Sequence, residues 1–408
     1  MKNKILQRSA YGTKLRFPGY NKAWKTAQLG DVCKIVSERL DPKNDSSVRC
    51  IELEHIEACT GRLLGTTTTA EIVSLKAVFR PGDVLFGKLR PYLKKFYMPS
   101  FTGVCSTEIW VLRPTNCVID AAFLFCIIQS SLVQRSANAT FGTKMPRADW
   151  DVVSATPIRF PELDEQSRIS GLHQSINQTT EYLDRLIAAK REQKRGLMQQ
   201  LLTGKLRFPG FTEPWKTVRL GDVLKESRLL GTTGFTAKKI TVKLYGRGVY
   251  AKQEKRTGSV NTRYFKRLSG QLIYSKLDFL NGAFGIVPDE LDGFESTLDM
   301  PTFDIFSSAN PHWLLALVGR RDFYQRFNDG AEGGRKAKRV DPSRFFDEVI
   351  QLPCRAEQDR IARLIIILGK EIELLAQQRA AFAAQRRGLM EKLLSGEIDI
   401  QNPKETAA

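Results

Sequence analysis

A chain of 408 residues has room for about two to four domains, and 42% apolar with 26% charged residues excludes a disordered or low-complexity protein. Lys and Arg total 63 against 44 Asp and Glu, a net charge of +19 that favours a polyanionic partner. The longest apolar run, AAFLFCII at residues 121–128, is far too short to span a bilayer, and no charged-then-apolar leader opens the chain, so a cytoplasmic protein without membrane attachment is expected.

In chain order the first predicted element is a joint, residues 1–23. Its end begins a repeat: KLRFPGYNKAWKTAQLGDV at 14–32 returns as KLRFPGFTEPWKTVRLGDV at 205–223, identical at 13 of 19 positions with a shift of 191. A match of that length at that distance marks a duplicated domain. Residues 24–161 follow as a first globular unit, in which β-rich runs (FRPGDVLFGKL, GVCSTEIWVLRP) alternate with Gly, Pro, Asn and Asp turns, and residues 121–132 predict an apolar helix. Residues 162–204 predict one long helix. No proline occurs between Glu165 and Pro209, and Ile169, Leu172, Ile176, Leu183, Leu186 and Leu197 form a seam at three-four spacing.

Residues 205–353 repeat the joint and the globular unit, with GQLIYSKL and GAFGIVP as strand-forming runs. Residues 354–397 repeat the helix, with a seam at Ile361, Leu364, Leu368, Leu375, Phe382 and Leu389, and 398–408 are a tail. Other landmarks keep a shift of 192: FGTKMPRAD with GGRKAKRVD, IRFPELDEQSRI with IQLPCRAEQDRI, and KRGLMQQLLTGKL with RRGLMEKLLSGEI. Glu165 and Glu357 stand where the positive start of each helix favours a carboxylate. Each helix spans about 38 residues, or ~57 Å. The expected fold class is α+β: two globular α/β units and two long helices whose seams pack together, with packing of each helix on its own globular unit as the alternative.

Catalytic signatures do not occur in this sequence. It has no G-x-x-x-x-G-K-[ST] phosphate loop, no Pro-Pro for the loop that holds a flipped adenine, and no G-x-S-x-G nucleophile. GAEGG at 330–334 lacks the strand-then-helix context of a nucleotide site, and PDE at 288–290 lacks the acid-x-Lys that would complete a metal site, so both read as turns. The seven cysteines include no C-x-x-C pair and read as buried thiols of a reducing compartment. His55 and Cys59 have metal-compatible spacing but no second ligand pair, so no metal and no cofactor is expected in this chain.

Basic segments remain. Lys88, Arg90, Lys94 and Lys95 fall in KLRPYLKK, Lys144 and Arg147 in TKMPR, Lys276 in SKL, and Arg335, Lys336, Lys338 and Arg339 in GRKAKR, with RYFKR at 263–267 as a further run. Each is either a solvated charged face or a DNA contact. TKMPR and GRKAKR occupy equivalent repeat positions, which favours DNA, because Lys neutralises phosphate and Arg forks onto guanine.

Two variable globular units, each with W-K-x-x-x-L-G-D-V near its opening (Trp24, Trp215), each closed by Pro-x-x-x-Glu-Gln-x-x-Ile and a RGLMxxLL[TS]G helix end, resemble the DNA-specificity subunit of type I restriction-modification enzymes. The resemblance covers essentially the full chain. It implies two target-recognition domains that each read half of a split double-stranded DNA target, joined by an antiparallel coiled-coil spacer with pseudo-twofold symmetry. It implies as partners two methyltransferase subunits carrying S-adenosylmethionine, and restriction-translocase subunits using ATP and Mg²⁺, while this chain is no enzyme itself. Residues 39–79 share little with 231–267, so the two half-sites are expected to differ. A subunit of a modification-only complex and a basic coiled-coil scaffold remain open as alternatives. The first KLRFPG has no helix before it, which looks like the remnant of a circular, head-to-tail repeat.

Overall fold

The computed structural model describes residues 17, 19–20, 22–41, 43, 47–71, 74–115, 117–139, 145–253, 259–330 and 339–395. Two compact units make up the chain: Met1–Asp184 with Gln378–Ala408, and Arg185–Gln377. The division falls inside both long helices, Leu163–Leu201 with 39 residues and Arg355–Ser395 with 41. Each unit therefore holds the start of one helix and the end of the other.

In the first unit Lys25–Gln28 pairs antiparallel with Pro157–Phe160, joining the opening of the globular part to the strand that leads into the first long helix. An antiparallel sheet runs in the order Cys33–Ile35, Ile109–Pro114, Val84–Gly87, Phe96–Tyr97. A mixed five-stranded sheet runs Arg39–Leu40, Lys76–Phe79, Gly103–Cys105, Arg49–Ile51, Thr67–Thr68. Helix Ala121–Gln129 fills the core and is buried at every position from 123 to 128. The sequence predicts that it continues to 132. It stops at Gln129 because the Ser130 hydroxyl accepts from the Val133 N–H at 3.4 Å and starts a second helix, Ser131–Asn138.

The second unit repeats this plan. Lys216–Arg219 pairs with Val349–Leu352, and the four-stranded sheet returns in the same order as Leu224–Ser227, Thr302–Ile305, Leu272–Tyr274, Phe284–Ile286. Where the two sequences diverge, the sheets diverge. A three-stranded sheet of Leu230–Thr233, Arg263–Lys266 and Glu295–Ser296, with a hairpin of Ile240–Val242 and Val249–Ala251, takes the place of the five-stranded sheet.

The repeated Glu-Gln pair explains how each long helix is anchored. Gln166 is fully buried; its Oε1 accepts from the Asp120 N–H, and its Nε2 donates to the carbonyls of Val118 and Pro161, all at 2.8 Å. Gln358 repeats the hook on the Asn310 N–H at 2.7 Å and on the carbonyls of Ser308 and Pro353 at 2.9 Å. Beside it the buried Glu357 accepts two hydrogen bonds from Arg207, at 3.0 and 2.8 Å, and one from the Trp215 indole at 3.0 Å. Arg207 belongs to the second KLRFPG and Trp215 to the WK landmark, so the joint is a clamp on the helix start. The counterpart of Arg207 in the first copy, Arg16, lies outside the described residues.

Each helix packs on its own globular unit only at its start, its far end joining the core that holds the start of the other helix. Their ends belong to the globular cores: Ile169, Leu172, Leu389 and Met390 in the first unit, and Leu197, Leu201, Ile361 and Leu364 in the second. Towards the middle, Leu183, Leu368 and Ile187 are buried outside those cores, while Ile176, Leu186 and Leu375 are half-buried; Ile187 was not among the predicted seam residues. Antiparallel side-chain contacts accompany them. Asn177 meets Arg386 and Asp184 meets Arg379 in the first unit; Lys190 meets Glu371 in the second. Phe382 departs from the predicted seam and is 41% exposed. A straight helix drifts about 20° per heptad from a stripe of period seven, which rotates such a position outward.

Candidate nucleic-acid interface

The four-stranded sheet of each unit ends in a basic turn, and the backbone brings a second basic segment against it. In the first unit the Lys88 N–H donates to the Glu108 carbonyl at 3.0 Å, the Ala148 N–H to the Lys88 carbonyl at 2.8 Å, and the Arg90 N–H to the Pro146 carbonyl at 2.8 Å. KLR at 88–90 and PRA at 146–148 thus run side by side. Across them Arg147 forks onto Glu108 at 2.9 and 3.1 Å, and this hydrogen bonding, assisted by the charge of Lys88, holds the Glu108 carboxyl below the usual carboxylate range.

The second unit repeats the constellation on different side chains. The Lys276 N–H donates to the Asp299 carbonyl at 2.8 Å and the Val340 N–H to the Lys276 carbonyl at 3.2 Å, while Arg339 lies 3.6 Å from the Asp299 carboxylate. Lys88, Glu108 and Arg147 are answered by Lys276, Asp299 and Arg339. The acid in each set was not found from the sequence, because Glu108 and Asp299 lie in dissimilar stretches and only the sheet register brings them to the basic turn.

The predicted contacts sort into three groups. Arg90 and Lys94 are exposed, flank the exposed Tyr92, and make no side-chain hydrogen bond or ion pair with a described residue. Both sit in the left-handed region, at φ 52° and 50°, around the buried Pro91. Lys95 and Lys276 have internal partners: the Lys95 amine donates to the Leu53 carbonyl at 2.6 Å, and that of Lys276 pairs with Asp341. Lys144, Arg335, Lys336 and Lys338 lie outside the described residues, in stretches that adjoin Arg147 and Arg339.

The RYFKR run is divided by burial. Arg263 and Lys266 are exposed, but Arg267 is 1% exposed and donates to Ser296 Oγ at 2.7 Å, Thr302 Oγ1 at 2.8 Å and the Ser227 carbonyl at 3.1 Å. With no carboxylate among these partners, burial pushes its pKa down to about 10. Arg267 ties the variable sheet to the repeated one and is not presented to a ligand. Among the described residues no group of His, Cys, Asp and Glu could hold a metal, and His55 Nδ1 accepts from the Glu52 N–H at 3.0 Å. Also among the described residues, no helix is long and apolar enough to cross a membrane.

Residues 21–189 match the family model described as the type I restriction modification DNA specificity domain. The specificity subunit of the type I restriction enzyme EcoDI from Escherichia coli is 30% identical over 155 residues, covering 37% of this chain and 34% of that subunit. The match therefore spans about a third of the length of the curated relative. Among solved structures, the HsdS subunit from Thermoanaerobacter tengcongensis aligns with a TM-score of 0.53 and 22% identity over 93% of this chain and 98% of that one. A type I restriction-modification S subunit from M. genitalium aligns with a TM-score of 0.56 and 12% identity over 94% and 99%. A chain from a study of complex assembly and conformational transition of the type I R-M system aligns with a TM-score of 0.61 and 20% identity over 93% and 99%. These structural likenesses establish the shared fold.

Proposed function

We propose that this chain belongs to the type I restriction-modification DNA-specificity family, whose model its residues 21–189 match, and that it is a non-catalytic reader of double-stranded DNA that contacts a two-part, asymmetric target with its two globular units. The observation that carries the reading is the repeat of one constellation, Lys88 with Arg147 and Lys276 with Arg339, each arginine oriented by an acid. A phosphate backbone needs positive charge and hydrogen-bond donors in a fixed register, and a base edge needs an oriented guanidinium. Lys144, Arg335, Lys336 and Lys338 extend the same two contact regions in this reading, as do the exposed Arg90 and Lys94. The different variable sheets of the two units support different half-sites, and hence a target that is not a palindrome.

Partner docking belongs to the same reading. The long helices expose large apolar side chains, Tyr182 and Phe382 in the first unit and Ile367 and Leu374 in the second. Apolar surface on a helix supports burial against another protein. Two methyltransferase subunits would dock there, bringing S-adenosylmethionine, and restriction-translocase subunits would bring ATP and Mg²⁺.

Co-expression of this chain with the neighbouring methyltransferase subunit, followed by single-molecule sequencing of the host genome, tests the proposal. The expected result is adenine methylation at a two-part asymmetric motif with a fixed gap. No new methylation with both proteins soluble overturns it. Restriction of unmodified incoming DNA distinguishes the complete system from a modification-only complex, and a DNA affinity that does not change with salt would indicate a scaffold.

A further inference from the structure

The two units differ in how they furnish one equivalent place, the crossover between the second pair of strands in the four-stranded sheet. In the first unit this crossover joins Val84–Gly87 to Phe96–Tyr97 and itself carries Arg90, Tyr92 and Lys94, all exposed. In the second it joins Leu272–Tyr274 to Phe284–Ile286, and after Lys276 it contains no cation: Asp278 follows, then the buried Phe279 and then Asn281. A segment of the variable part covers this bare crossover; in the first unit the bridged Ile56–Leu63 turn holds the same place, its Cys59 N–H donating to the Lys94 carbonyl at 2.9 Å.

That segment is the hairpin of Ile240–Val242 and Val249–Ala251. Its tip is fastened by two backbone hydrogen bonds, from the Tyr245 N–H to the Asn281 carbonyl at 2.9 Å and from the Gly246 N–H to the Gly282 carbonyl at 2.8 Å. Below the tip, Ile240, Val242 and Val249 are buried with Ile273, Ala283 and Val287. Val249 seats so closely on the sheet that a Cβ on Gly285 would stand 2.4 Å from its Cγ2. The hairpin is therefore a fixed part of the unit.

The tip presents Tyr245, 69% exposed, and Arg247, also exposed, and neither side chain has a partner among the described residues. Tyr245 is held at φ +58°, as Cys59 is at +65° in the first unit, a left-handed conformation in which the N–H donates to the crossover and the ring stays exposed. The first unit's tip commits its arginine, Arg62, to Glu57 and Asp184, so the exposed aromatic and cation distinguish the tip of the second. Lys243 extends the pattern, with its amine 4.0 Å from the centre of the Tyr250 ring. A basic and aromatic pair on a rigid projection suits a duplex: the guanidinium takes phosphate or a guanine edge, and the ring packs on sugar or base.

We propose that Tyr245 and Arg247 are DNA-contacting, specificity-determining residues of the second unit, supplying from the tip of the hairpin what Arg90, Tyr92 and Lys94 supply from the crossover of the first. The inference rests on the DNA-reading function proposed above.

The test selects duplexes from a randomised DNA library with the full chain as wild type, as Y245A/R247A and as R90A/K94A, followed by sequencing. Wild type is expected to enrich two half-sites, Y245A/R247A to keep one and randomise the other, and R90A/K94A to do the reverse. Equal melting temperatures would show that the variants fold. Should Y245A/R247A lose its melting transition, R247Q alone carries the test, with the same half-site expected to weaken at least tenfold. Enrichment of both half-sites by a folded hairpin variant overturns this inference and leaves the DNA-reading function standing. A wild-type chain that enriches nothing overturns both.

Discussion

The Gln166 side chain holds the backbone N–H of Asp120, the residue that caps the apolar core helix of the first unit, at 2.8 Å. Gln358 does the same for Asn310 in the second unit at 2.7 Å. One fully buried amide thus ties the start of a spacer helix to the core of a globular unit, twice in one chain. Gln166→Ala or Gln358→Ala leaves one buried donor and two buried carbonyls without their partner, and each unsatisfied group costs about 1–3 kcal/mol. A loss of at least about 3 kcal/mol for either substitution is expected in calorimetric unfolding. A change below about 0.5 kcal/mol, the usual range for surface substitutions, would mean that water replaces the hook.

Arg90 and Lys94 have no ion pair with a described residue to lose, so their replacement is expected to act on ligand binding and not on the fold. For R90A/K94A, the slope of log affinity against log salt on a duplex of arbitrary sequence is expected to fall by about 2, with an unchanged melting temperature. Fluorescence anisotropy between about 50 and 200 mM salt measures it. An unchanged slope would return this turn to the solvated surface.

The two halves of the predicted seam separate under truncation. Leu183→Ala removes a buried side chain in the helical part of the first unit, at an expected cost of about 2–4 kcal/mol. Phe382→Ala, at a position 41% exposed, is expected to change stability by less than about 0.5 kcal/mol. If Phe382 serves as a docking surface, its loss instead appears as weakened co-purification of the methyltransferase partner.

His173 gives the first unit a pH dependence. Burial, and then the charge of Arg386, push its pKa from 6.5 down to about 4. The unfolded chain takes up this proton below pH ~6.5 while the folded chain resists it until pH ~4. Stability is therefore full above pH ~6.5 and falls by up to about 3 kcal/mol as the pH drops to ~4. His173→Leu is expected to flatten the difference in unfolding midpoint between pH 7 and pH 5. A slope as steep as that of wild type would assign the acid sensitivity to another group.

Cysteine accessibility is only partly a sequence property. Cys33, Cys50, Cys105 and Cys126 are buried as the apolar neighbourhoods suggest, and burial raises their thiols, to about 12 for Cys33 and Cys50. Cys59, Cys117 and Cys354 are exposed, because turns and helix starts carry them out of the cores. An aromatic disulfide reagent is expected to titrate three thiols in the native chain and seven after unfolding.

The sequence by itself determined the architecture of this protein. A 13-of-19 match states that one domain is written twice, and a proline-free three-four pattern states that each copy ends in a long helix; both are local, periodic signals that survive without coordinates. It also located the basic turns at Lys88 and Arg147 and at Lys276 and Arg339. Only the tertiary structure decided which cations are free and which are committed, since Arg90 and Arg267 look alike in sequence and one is exposed while the other is enclosed by hydroxyls and carbonyls. It alone placed Glu108 beside Arg147 and Tyr245 against Asn281 of the crossover, across separations of 39 and 36 residues. Sheet register and packing create such neighbours, and no period along the chain records them.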